Sequence, residues 1–265
     1  MSTDTISERL FEALINGDRP LARAISTNAI EEGLSYEELV SEVYYPTYET
    51  ISKLYRNDQL TRLAHHMATR LLRSLTDQAA ARFDMQPMNG RTVISFCGPT
   101  DADELGAQMA IDLVEREGYQ TRFAGPGVAA DEILGLVQNE QPDCLVIFAS
   151  APSDLPEIRD LIDRMREIGA CNSTQIIVGG GVFNRADGLA EEIGADLWAS
   201  DPVSLVERMT EEPERRADAS QRTVGAVKPA PRKQRRKAAC APRSGPPDPL
   251  GHALQQASLA LGPCA

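Results

Sequence analysis

The residues able to do chemistry fall into two groups. The first sits in turns after short apolar runs: Asp101, Asp103, Glu104 and Gly106 in CGPTDADELG, Ser150 in ASAPSDL, and Gly179, Gly180 and Gly181 in VGGGVFN. Small residues at three such places leave a trough where backbone can approach a ligand closely. Asp101 and Asp103 with Glu104 can hold a divalent ion, and they also suit the start of the helix that follows, where an Asp N-cap and first-turn acids are favourable. The second group is His65 and His66, the only histidines before the C-terminal tail, which holds His252, with Tyr55 ahead of them.

Catalysis by side chains alone finds no support. The chain has no Ser-His-acid or Cys-His pairing and no GxxxxGK phosphate loop, and the Gly triplet neither matches GxGxxG nor precedes a ribose-binding acid at the required distance. An acid-rich receiver-type ion site would need a Lys at the end of the last strand, where Trp198-Ala199-Ser200 stands. Five cysteines (Cys97, Cys144, Cys171, Cys240 and Cys264) show no CxxC spacing, and their odd number argues for reduced structural thiols. A non-enzymatic protein whose chemistry resides in a bound group is the expectation.

The net charge of −12 hides an asymmetry, since residues 1–212 carry −19 and residues 213–265 carry +7. The body would repel nucleic acid, and only PRKQRRK at 231–237 could attract it, weakly and salt-sensitively. No stretch approaches the roughly 18 apolar residues that span a bilayer, and the N-terminus is acidic and amphipathic, so a cytoplasmic protein without membrane contact is expected.

These residues need elements to position them. Residues 4–83 show apolar residues at helical spacing, predicting helices at 7–16, 20–32, 35–55 and 59–83 that make an antiparallel four-helix bundle. Ser35 with Glu38 reads as a capping box, and Pro46 predicts a kink. Relative to the apolar stripe of the last helix, His65 lies about 110° away and His66 about 140° the other way. By position both are solvated surface residues; a bundle that faces a second domain would bring one of them to a ligand. After a linker at 84–91, apolar runs at 92–97, 121–125, 144–150, 175–180 and 195–199 alternate with amphipathic segments. That alternation predicts a five-stranded parallel sheet, doubly wound in an order such as 2-1-3-4-5, with its crevice beyond the strand C-termini. Domains are therefore expected at 1–84 and 91–212, followed by a disordered basic tail at 213–265.

The stretch 91–210 resembles the cobalamin (vitamin B12)-binding domain shared by methionine synthase, corrinoid methyl carriers, mutases and light-sensing repressors. The matching pieces are Asp101-x-Asp103-x-x-Gly106, Ser150-Ala151-Pro152, Gly179-Gly180-Gly181 and Gly194-Ala195-Asp196. The helical half resembles that family's cap, in which light-sensing members place an aromatic residue, nine residues and a Glu-His pair; here Tyr55 precedes His65-His66 by the same interval. The resemblance implies a corrinoid held between cap and α/β domain, its benzimidazole tail in the trough of Ser150 and the glycines. It also implies a cobalt-binding histidine at position 103, where this chain has Asp103, a hard oxygen donor poorly suited to replace imidazole.

Four readings stay open. Cobalamin, in adenosyl or hydroxo form, binds without a protein ligand below the ring; the ligand comes from above, from His65 or His66; another tetrapyrrole, haem or a bilin, takes the site; or the fold is kept as a cofactor-free interaction module. The leading expectation is a sensor that signals to a regulatory protein partner, with a methyl carrier serving methyltransferases as the alternative and a homo-oligomer possible.

Overall fold

The computed structural model describes residues 2–169 and 171–218, except for the side chains of Asp101 and Ala102. The expected disordered tail, with Cys240, Cys264 and the 231–237 basic run, lies from residue 219 onward outside the described residues.

Local signals start each helix of the N-terminal half. Helix α1 (Thr3–Ile15) is capped by Ser2, and α2 (Arg19–Glu31) by Asp18, with proline in its first turn. The Ser35–Glu38 capping box forms as expected and opens α3 (Tyr36–Glu38). At Pro46, where a kink is expected, the helix changes its winding. The chain passes through a π-helical turn, Leu39–Tyr44, directly into α4 (Tyr45–Arg56), with Pro46 in its first turn. The wider π turn accommodates a ring that would clash with the carbonyl four residues back in a regular helix. Helix α5 (Arg62–Ala80) starts at the Thr61 cap, later than the sequence suggests. Leu10, Leu14, Tyr44, Ile51 and Leu72 form the centre of the bundle, and the buried Tyr44 hydroxyl donates to Ser26 Oγ at 2.8 Å.

The second half is an all-parallel sheet in the order β2-β1-β3-β4-β5, as the alternation predicts. Its strands are β1 (Thr92–Cys97), β2 (Gln120–Pro126), β3 (Cys144–Phe148), β4 (Gln175–Gly179) and β5 (Leu197–Ala199). One face is covered by α7 (Ala130–Glu140), α8 (Leu155–Ile168) and α9 (Leu189–Ile193). The other is covered by α6 (Asp101–Arg116) and α10 (Pro202–Glu211). Asp196, from Gly194-Ala195-Asp196, is buried and structural: it accepts from the Ile176 N–H at 2.8 Å and from Arg166 at 2.9 Å, tying β5 to β4.

Helix α6 is apolar on two sides. Ala107, Ala110, Ile111 and Val114 face the sheet, while Leu105, Met109 and Leu113 complete the core of the bundle. Separating bundle from sheet would expose these last three, at about 1.5–3 kcal/mol for each large side chain. The connection at 84–91 lacks regular structure yet is tied down: Gln86 N–H donates to the Arg116 carbonyl at 2.8 Å and Asn89 N–H to Gly118 at 2.9 Å.

Candidate functional site

The strand C-termini point toward α4 and α5, and two adjoining spaces lie between them. The upper one, about 480 Å³, is walled by Tyr55, Arg56, Arg62, His65, His66 and Thr69 from the helices. Thr100, Asp103, Ser150, Ala151, Pro152 and Arg185 wall it from the loops. The lower one is a trough bounded by Asp103, Gly106, Ala149, Ser150, Gly179, Gly180 and Gly181, with Tyr45 and Tyr48 as its roof. Tyr48 lines both.

The loop after β1 is built around Thr100, which caps α6; neither Asp101 nor Asp103 is the N-cap expected from the sequence. Asp101 is the first helical residue, and Asp103 is the third, closing a capping box. Its Oδ2 accepts from the Thr100 hydroxyl and from the Thr100 N–H at 3.2 Å, while its own N–H donates to Thr100 Oγ1 at 3.1 Å. Asp103 is only 4% exposed, and the Ser150 backbone N–H also faces its carboxyl. Burial, reinforced by the charge of Asp154, pushes its pKa up against the pull of the Thr100 bonds. Among the described residues no cluster of three His, Cys, Asp or Glu side chains could hold a metal ion; the side chain of Asp101, on which the divalent-ion expectation also rests, lies outside them. Glu104 turns away and pairs with Arg73 of α5 at 2.9 Å, which lowers its pKa.

Of the three consecutive glycines, Gly180 is held at φ +102°, and a Cβ there would lie 2.4 Å from the Ala149 carbonyl oxygen. At Gly179 a Cβ would meet the Phe148 ring at 3.2 Å. Gly106 serves as a notch for the bundle: its Cβ would stand 2.8 Å from the Tyr48 hydroxyl oxygen.

The histidines depart from the surface placement that helical angle suggests. His65 is 7% exposed and stacked on Tyr55, with ring centroids 4.0 Å apart. Helix α5 has a second buried face because the end of α4 folds over it, and a single apolar stripe cannot express that. His66 is half-buried at the edge of His65, and its Nε2 accepts from Arg62 Nε at 3.5 Å. The structure thus brings Tyr55, His65, His66, Asp103 and Ser150 to one cavity, and Gly106 and the three glycines to the trough beside it.

Sequence reasoning missed Tyr48, Ser52, Arg56, Arg62, Thr100 and Arg185. Tyr48, Ser52, Tyr55 and Arg56 recur at helical spacing, a signal for a common face of α4. Arg185 donates to the Ser150 carbonyl, and burial, with the nearby Arg56 guanidinium, lowers its pKa. Three guanidiniums therefore border the upper cavity. Cys97 beneath the loop is no nucleophile: burial raises its thiol to about 12. Among the described residues Cys97, Cys144 and Cys171 are free thiols.

Residues 91–207 match the family of B12 binding domains, and residues 6–79 match a second family of the same description. A corrinoid protein of Desulfitobacterium hafniense is 21% identical over 208 residues, spanning 77% of this chain and 95% of that one. Dimethylamine corrinoid protein 3 of Methanosarcina mazei is 22% identical over 111 residues, 42% of this chain and 65% of that one. The Methanosarcina barkeri monomethylamine corrinoid protein shares the fold, with a TM-score of 0.70 at 17% identity over 79% of this chain and 99% of that one. No helix among the described residues is long and apolar enough to cross a membrane.

Proposed function

Since this chain belongs to the B12-binding family, helical cap and α/β domain together, we propose that it is a corrinoid protein that presents its cofactor to a separate methyltransferase partner. The carrying observation is the similarity to a corrinoid protein along 95% of that relative, spanning both halves between which the cavity lies. This reading displaces the regulatory sensor as the leading one, because the relatives are corrinoid proteins, two of them named for methylamines.

The residues fit the group in part. The cavity of about 480 Å³ has an aromatic wall on the cap side and small residues on the loop side. No imidazole stands below, so the lower cobalt ligand of the family is not supplied by residue 103. A corrinoid, when bound, brings the cobalt–carbon chemistry that no side chain here provides. The chain's part is to orient and shield: Tyr55 and His65 stack over the cap side, His66 and Arg62 hold its edge, and Ser150 to Pro152 form the floor.

A second reading, the sensor, draws on the Tyr55–His65 stack facing the cavity, which would respond to a change of upper ligand. Titration of the purified protein with methyl-, hydroxo- and adenosylcobalamin and with haem, followed by absorption, tests both. Saturable binding of cobalamins with a hydrodynamic radius unaffected by light is expected for the carrier. A hydrodynamic radius that changes on illumination would favour the sensor, because photolysis of the cobalt–carbon bond alters the spectrum in either case. Refusal of all three cobalamins would remove both readings, and a Soret band lost in His65→Ala or His66→Ala would put haem in their place.

A further inference from the structure

The trough beneath the cavity is already filled by a side chain of the cap. Tyr48 reaches from α4 into the notch at Gly106, whose Cβ would stand 3.0 Å from Tyr48 Cζ. The space left beside it is about 50 Å³. A single benzene occupies a cavity of roughly 150 Å³, so the bicyclic base that ends the nucleotide tail of cobalamin has no room there. The roof is anchored at both ends: the Tyr45 hydroxyl donates to the Ser200 carbonyl at 3.3 Å, and α6, which carries Gly106, has Leu105 and Met109 in the bundle core. Below the ring, Asp103 is committed to Thr100 and offers oxygen only. The upper cavity, in contrast, has about 480 Å³ and is bordered by Arg56, Arg62 and Arg185.

We propose that Tyr48, seated on Gly106, excludes the nucleotide base from the trough, so that cobalamin is held with its own base still on the cobalt. This inference rests on the corrinoid reading above, and the two can fail separately. The test uses the full chain grown on 15N and loaded with cobalamin reduced to Co(II), freed of unbound corrinoid by desalting, and examined by electron paramagnetic resonance. A threefold nitrogen splitting from the unlabelled base is the expected result. A spectrum without nitrogen splitting would overturn the proposal, because the base would have left the cobalt; a twofold splitting from 15N would overturn it too, because a protein histidine would have taken its place.

Tyr48→Ala, or Tyr48→Val if alanine leaves too large a hole to fold, enlarges the trough. Loss of the threefold splitting in the variant is expected as the base drops in, and its persistence would show that Tyr48 is not the determinant. No cobalt retained after desalting would overturn the corrinoid reading itself.

Discussion

A methyl group added at Gly180 would lie 2.4 Å from the Ala149 carbonyl oxygen at a φ of +102°, whereas at Gly181 it would meet only the end of the Arg185 side chain at 3.0 Å. The first contact is with backbone that cannot move without shifting β3; the second is with a flexible guanidinium. Gly180→Ala is therefore expected to cost at least about 1–3 kcal/mol of stability, and Gly181→Ala about 0.5 kcal/mol or less, as read from urea midpoints. Equal midpoints would show that the turn is not strained. Asp103 is tied in a different way, through both halves of a capping box. Asp103→Ala and Thr100→Ala should each lower stability by about 1 kcal/mol, and the double variant by less than the sum, since either change already breaks the shared bonds. Sequence pattern exposes the glycine triplet and the acid cluster but not which glycine needs φ > 0, nor that Thr100 is the cap, because both depend on where the chain turns after the strand.

Helices α5 and α6 meet across a set of like charges that makes their contact pH-dependent. Burial first, then the charges of Glu115 and Asp77, raise Asp112 to about 7, while Gln108 donates to Asp77 at 2.6 Å. An unfolded aspartate releases its proton near pH 3.9, so between about pH 4 and pH 7 the folded chain holds a proton that the unfolded chain has lost. Stability from this group therefore falls as pH rises through that window and is level above it. Asp112→Asn should flatten the decline in melting temperature between pH 4.5 and 8; an unchanged slope would mean that Asp112 ionises as freely folded as unfolded. The same two-sided packing explains what periodicity could and could not show. A helical bundle followed by five strands alternating with helices follows from apolar spacing. The burial of His65 and the seat of Tyr48 do not, because α4, α5 and α6 each face two partners and a single stripe describes only one. The π turn at Leu39–Tyr44 is likewise hidden, since Pro46 signals a kink and not the change of winding that precedes it.

At the scale of the molecule, the −19 carried by residues 1–212 makes the body a poor partner for nucleic acid, and any such binding belongs to the residues beyond. More consequential is that bundle and sheet share α6. If its bundle-facing side chains stay buried, the two halves unfold together and the roof over the trough cannot lift without a large exposure of apolar surface. The sole tryptophan, Trp198 in β5 beneath Arg208, reports the sheet, whereas helical circular dichroism draws heavily on the bundle. Urea transitions followed by the two signals should coincide, and Met109→Ala should move both by the same amount, at a cost of about 2–5 kcal/mol. Cobalamin at a hundred times its Kd should raise both midpoints together, by about 2.7 kcal/mol in unfolding free energy, because its site draws on the two halves at once. An early loss of helical signal while Trp198 fluorescence stays native would mean that the bundle detaches alone. Tyr48 would then leave Gly106 at little cost, and the trough would be open to a nucleotide base after all.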